Sequence, residues 1–217
     1  MNLANKLTVF RMILVPIFVV IGYLGVLGVI TGEWLGIPTF MWIMNLVFII
    51  ASITDKLDGY IARTRNQVTT FGKFLDPLAD KILVLSALVM LVEFGKIPAW
   101  IPVIVLAREF LVSGYRLIAV EKGGKVIAAS IWGKLKTVTQ MVAIICVFID
   151  KFNFCDFIIA NTAKAQALAS SLQIYMTTPE LIFNIITSII MIISVIATIF
   201  SGYDYLKGGK DLFKDKE

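Results

Sequence analysis

The sequence predicts an all-α, polytopic membrane protein that crosses the bilayer in six helices with both termini in the cytoplasm. Three observations predict it. Residues 12–32, 34–54 and 181–203 hold no charged side chain, and each run exceeds the roughly 20 residues a helix needs to span about 30 Å of hydrocarbon. The composition is 59% hydrophobic and 16% charged, where soluble chains carry about 25% charged residues. Basic residues also concentrate in alternate connections. A helix is the expected form of each span because it satisfies its own backbone hydrogen bonds in lipid.

The elements follow in order. A short polar, interfacial start at residues 1–6 precedes span 1, about 8–30. This stretch is too long for the apolar core of a cleaved signal peptide, about 7–15 residues, and shows no small-x-small cleavage site. Span 2 covers about 38–63, followed by a polar loop at 64–72. Span 3 covers about 74–92, and Gly95 and Pro98 mark a tight turn. Span 4 covers about 99–119, and a basic, Gly-rich loop at 121–129 leads into span 5, which ends near 149. Residues 150–179 form a longer outer connection, expected as a partly helical flap. Span 6 covers about 180–205, and a charged tail closes the chain. One domain over residues 1–217 is expected, without repeats or low-complexity tracts.

Charge sets the orientation. Lys6, Arg65, Lys122, Lys125, Lys207, Lys210, Lys214 and Lys216 fall on one side, and Lys96, Lys151 and Lys164 on the other. The basic side is expected to face the cytoplasm. Topology thus accounts for the net charge of +5, and no nucleic-acid partner is expected. Histidine is absent, so acid–base chemistry falls to Asp, Glu, Lys or Tyr. Two cysteines, Cys146 and Cys155, imply neither a metal site nor a disulfide framework.

The informative residues are charges at membrane depth, where each costs at least about 2.5 kcal/mol at a helix centre. Asp55, Lys56, Asp58 and Arg63 end span 2, and Asp76, Asp80 and Lys81 begin span 3. Arg108, Glu109 and Arg116 interrupt span 4, while Lys134 and Lys136 begin span 5. Snorkelling suits Lys56, Lys81 and Lys136, but aspartate is too short for it. Asp55 and Asp58 lie about 60° apart around a helix, and Asp76 and Asp80 about 40°, so each pair shares a face. A short loop makes the two helices antiparallel neighbours. Four carboxylates can then converge, and a hard divalent cation, Mg²⁺ or Mn²⁺, relieves their repulsion. Pro77 makes Asp76 a helix N-cap or a kink. Tyr203 and Tyr205 read as interface anchors.

Residues 55–80 read D-K-L-D-G-Y-I-A-R, eight residues, then G-K-F-L-D-P-L-A-D. This resembles the signature of the CDP-alcohol phosphotransferase family, D-x2-D-G-x2-A-R-x8-G-x3-D-x3-D, at every fixed position. The resemblance implies an enzyme in which an alcohol attacks the lipid-side phosphorus of a CDP-linked donor and CMP leaves. It implies metal ligation by Asp55, Asp58 and Asp76, with Asp80 as general base and possible fourth ligand, and a pair of metal ions. It places Gly59, Arg63 and Lys73 against the cytidine diphosphate. Asn5 and Thr8 are further candidates for the nucleotide site, with helix capping as the rival role.

The start N-K-L-T-V-F-R-M-I-L-V-P and the span 4 stretch R-E-F-L-V-S-G-Y-R-L-I-A, followed after the loop by A-S-I-W-G-K-L-K-T, are similar to the bacterial branch of that family whose acceptor is glycerol 3-phosphate. The implied donor is CDP-diacylglycerol, in a bacterial plasma membrane among its lipids. A dianionic acceptor needs fixed cations, and Arg108, Arg116 and Lys134 are the candidates; structural ion pairs are their rival role. Family resemblance also implies a homodimer. The alternatives are another acceptor (serine, inositol phosphate or phosphatidylglycerol) and, from a different class, a divalent-cation transporter. Transporters tend to hold ions near the bilayer midplane, whereas these carboxylates cluster at one edge.

Overall fold

A computed structural model of the chain describes the backbone of residues 3–64, 70–121, 131–161 and 176–208, and the side chains of residues 6–55, 78–118, 131–158 and 176–207. The described residues are mostly helical. Helix α1 is Leu3–Val26, α2 Thr39–Thr64, α3 Thr70–Glu93, α4 Trp100–Glu121, α5 Ile131–Ile149, α6 Asp156–Asn161 and α7 Thr178–Gly208. Strands β1, Glu33–Trp34, and β2, Ile37–Pro38, form a small hairpin between α1 and α2.

Among the described residues, three segments are long and apolar enough to cross a membrane: Lys6–Val26, Ile131–Ile149 and Thr178–Lys207. Thr39–Asp55 within α2 is a shorter apolar helix. Helices α2, α3 and α4 are each long, yet carry the charges that the sequence places at depth.

Among the described residues, the helices pack around one large apolar core, with a smaller cluster of Val112, Tyr115 and Tyr205 between α4 and α7. Phe18, Met44, Phe48, Leu83, Leu88, Leu91, Ile144 and Phe148 are buried in the large core, drawn from α1, α2, α3 and α5. Phe18 meets Phe148 edge-to-face at 5.9 Å between centroids. Helix α1 lies along α2 and α3, while α7 lies along α4 and α5. Close approach of α1 to α2 uses Gly25, where a Cβ would sit 2.2 Å from the Phe40 ring. A side chain there would force the ring or the helix aside.

Several expectations change. The polar start is not a separate interfacial segment, because α1 is continuous from Leu3. Asn5 and Thr8 therefore lie inside the helix, which removes the capping role. Helix α1 also ends at Val26 rather than near residue 30. Gly28 adopts φ 71°, a left-handed ending that glycine favours. The hairpin that follows was not foreseen. Its two-residue turn, Leu35 and Gly36, has positive φ at both positions, as a type I′ turn requires. Asp76 lies well inside α3, not at its N-cap. Gly95, at φ 69°, makes the expected turn before α4.

A polar network ties together the end of the bundle that holds the hairpin and the α3–α4 turn. Lys96 Nζ donates to the carbonyls of Asp150, at 2.9 Å, and Lys151, at 3.0 Å. Asn184 Nδ2 donates to Asp150 Oδ2 at 3.0 Å and to the Asn153 carbonyl at 2.9 Å. Its Oδ1 accepts from the Phe157 amide at 3.0 Å. Burial lowers the Lys96 pKa and raises that of Asp150, each opposed by the other's charge. Lys96 and Lys151 thus share one end, as expected. In the 150–179 connection, the described residues contain one short helix, α6.

Candidate active site

At the opposite end, the C-terminal half of α2 and the N-terminal half of α3 bring Asp55 and Asp80 into electrostatic reach of each other. Both lie beside Arg11 of α1, which pairs with Asp55 at 2.6 Å, Nη1 to Oδ1. The Arg11 side chain is fully buried, whereas that of Asp55 is 29% exposed. A buried guanidinium needs a carboxylate partner, and α1 crosses α2 so as to provide it. Arg11 was missed because it adjoins a charge-free run and is not among the charges weighed at membrane depth. The signal available was its position one residue before the charge-free run 12–32, on the same helix as Thr8, which is also buried.

Asp80 accepts no hydrogen bond and forms no ion pair among the described residues, and it lies within electrostatic reach of Asp55. The two carboxylates repel each other, and the Arg11 charge beside them offsets part of that repulsion. Their hard oxygen donors fit Mg²⁺ or Mn²⁺, so the described half of the acidic set suits a divalent metal. The side chains of Asp58, Asp76, Gly59, Arg63, Lys73 and Asn5 lie outside the described residues.

Next to Asp80 lies a second charged group that the sequence did not reveal. Glu109 of α4 gathers three cations. Lys136 of α5 pairs with its Oε1, Arg108 with the same oxygen at 2.9 Å, and Lys81 of α3 approaches Oε2 at 3.7 Å. Lys81 also donates to Ser113 Oγ. Lys136 is 8% exposed. Snorkelling is therefore the wrong account of Lys81 and Lys136: both turn inward to a carboxylate. Helices α3, α4 and α5 leave a cavity of about 320 Å³ between them. Its polar end is formed by Asp80, Lys81, Glu109 and Lys136, and its walls by apolar residues such as Leu85, Leu106 and Met141.

The three expected acceptor cations do not form one clamp. Arg108 donates to Ser201 Oγ as well as to Glu109. Arg116 donates to the Tyr205 hydroxyl at 2.8 Å. Both guanidinium groups also sit over the Tyr205 ring, at 5.8 and 5.6 Å. Tyr205 is buried, not an interface anchor, while Tyr203 is exposed. Lys134 is exposed.

Residues 1–200 match the family model described as CDP-alcohol phosphatidyltransferase. The chain belongs to this family. Its relatives include proteins named CDP-diacylglycerol–glycerol-3-phosphate 3-phosphatidyltransferase. The one from Bacillus subtilis is 44% identical over 160 residues, covering 70% of this chain and 79% of that protein. The one from Haemophilus influenzae is 43% identical over 147 residues, 66% of this chain and 73% of that protein. The one from Rickettsia bellii is 34% identical over 213 residues, 98% and 97% of the two chains. As a CDP-alcohol phosphatidyltransferase, the chain carries the family's acidic signature on the two helices that bring Asp55 and Asp80 together.

Proposed function

We propose that this chain transfers a phosphatidyl group from CDP-diacylglycerol to glycerol 3-phosphate, giving phosphatidylglycerophosphate and CMP. The observation that carries the reading is the convergence of Asp55 and Asp80 beside Arg11, at one end of a largely apolar helix bundle. The names of relatives that align over most of both chains support the donor and the acceptor.

Asp55, Asp58, Asp76 and Asp80 would hold the Mg²⁺ or Mn²⁺, two ions in our reading, whose charge offsets that of the two donor phosphates and of the leaving CMP. Asp80 accepts the acceptor's hydroxyl proton as the oxygen attacks phosphorus. This needs hydrogen-bond reach more than a raised pKa. Arg11 holds Asp55 in one orientation. Gly59, Arg63, Lys73, Asn5 and Thr8 face the cytidine diphosphate part. Arg108, Arg116 and Lys134 provide positive charge for the acceptor phosphate. Direct in-line transfer is favoured because the signature has no Ser, Cys or His nucleophile.

The same reading puts six helices across the plasma membrane of a bacterium, with both termini and the acidic cleft on the cytoplasmic side, where soluble acceptor is available. It includes a homodimer. The test is CMP release by the purified protein with CDP-diacylglycerol, Mg²⁺ and one candidate alcohol at a time. Release with glycerol 3-phosphate is expected. Release with serine, inositol phosphate or phosphatidylglycerol instead reassigns the acceptor. No release with any of them, together with metal flux into vesicles, replaces the enzyme with a transporter.

A further inference from the structure

We infer that the β1–β2 hairpin is a lipid anchor. It seats Trp34 and Leu35 at the boundary between lipid headgroups and hydrocarbon, at the end of the bundle remote from Asp55 and Asp80. This surface lies outside the proposed active site, and its role does not depend on the reaction the chain performs.

Two features of the turn are unfavourable in water. Leu35 holds its first position at φ 56°, a left-handed conformation that residues with a Cβ rarely adopt. Asn followed by Gly is what such a turn prefers. The Leu35 side chain is also 71% exposed, next to Trp34 at 61%. A strained residue that presents an apolar tip is accounted for when something apolar covers the tip.

The neighbouring surface says what covers it. Ile13, Ile17 and Val20 are exposed along α1, at the spacing of one helix face, on a segment long and apolar enough to cross a membrane. Exposed Leu27 and Val29 carry that apolar surface past the end of α1 toward the hairpin. The lipid that covers the α1 stripe therefore reaches the hairpin. Residues 12–54 hold one charge, Glu33, and adjacent strand residues point to opposite faces, so Glu33 leaves the Trp34 face apolar.

The depth is that of the interface. Trp42 Nε1 donates to the Trp34 carbonyl at 3.1 Å, and the two rings meet at 4.9 Å between centroids. Trp100 opens α4 at the same end. Three of the four tryptophans in the chain thus gather at one level, as in the aromatic belt of a membrane protein. Strands of two residues also leave backbone groups unpaired, which water and headgroups satisfy and hydrocarbon does not.

The full-length chain carrying Trp42→Phe, Trp100→Phe and Trp132→Phe keeps Trp34 as its one tryptophan. It is reconstituted in vesicles of phosphatidylglycerol and phosphatidylethanolamine whose acyl chains carry bromine either close to the headgroup or at the bilayer centre. Trp34 fluorescence is then followed, with iodide on both sides of the membrane as the aqueous quencher. Strongest quenching by the bromine close to the headgroup, with little quenching by iodide, is expected. Leu35→Asn in the same background relieves the backbone and removes the apolar tip. It should shift Trp34 emission to longer wavelength and exchange bromine quenching for iodide quenching. Should the triple replacement fail to fold, the difference in quenching between the wild type and Trp34→Phe reads the same exposed side chain. Iodide quenching without bromine quenching puts the hairpin in water and overturns the anchor. Protection from both quenchers puts a second copy of the chain over the hairpin, and strongest quenching by the central bromine puts it within the hydrocarbon; each overturns the anchor as well. Quenching in Leu35→Asn identical to that of its parent overturns the role of the turn.

Discussion

Arg11 and Asp55 form a 2.6 Å ion pair between α1 and α2, with the arginine entirely buried and the aspartate partly open. The pair ties the first helix to the acidic signature and fixes one carboxylate of the cleft. Arg11→Met should reduce CMP release by about two orders of magnitude, the scale of a lost positioning interaction in a catalytic cleft. Arg11→Lys should restore part of it and, with a single point charge in place of a fork, show a raised requirement for divalent metal. Equal activity of both variants and the wild type would remove Arg11 from the site.

Asp80 lies within electrostatic reach of Asp55 and has no hydrogen-bond partner among the described residues. Asp80→Asn keeps the shape of the side chain and removes its basicity. Turnover should vanish, while binding of CDP-diacylglycerol, followed by equilibrium dialysis of a labelled donor, stays largely intact. Residual turnover close to that of the wild type would assign the proton transfer elsewhere.

Lys134 is exposed at the start of α5. If it meets the acceptor phosphate, Lys134→Ala should raise the glycerol 3-phosphate KM more than the donor KM. An exposed, flexible cation contributes modestly, about 1 kcal/mol or less, so the rise should be about fivefold or less. An acceptor dependence identical to the wild type would refute a role for Lys134.

Asn184 joins α7 to Asp150, Asn153 and Phe157 through three hydrogen bonds at the far end of the bundle. Asn184→Ala leaves buried donors and acceptors unpaired, at a cost of about 1–3 kcal/mol. Thermal unfolding in detergent should occur at a lower temperature, with both KM values unchanged. A change in either KM without loss of stability would connect this end to catalysis.

The long helices were legible in the sequence because charge-free runs and turn residues report directly on hydrocarbon length and chain reversal. The Asp55–Asp80 convergence was legible because helical spacing places signature carboxylates on one face. Arg11, Glu109 and Tyr205 were not. Each is a single residue whose role depends on which helix packs beside it, and that packing is set by steric contacts such as Gly25 on Phe40 rather than by any local pattern. Lys81 and Lys136 were misread for the same reason: a long cationic side chain looks the same in sequence whether it reaches outward to water or inward to Glu109. The 33–38 hairpin escaped because four strand residues and a turn are too short to show periodicity.

Binding of Mn²⁺ to the purified full-length chain, followed by electron paramagnetic resonance, tests the metal-filled acidic cleft most directly. The account predicts saturable loss of the free-ion signal in the wild type, and weaker or absent binding in Asp55→Asn, Asp58→Asn, Asp76→Asn and Asp80→Asn. A free-ion signal that persists in the wild type with donor present, or binding that survives all four substitutions, would contradict it.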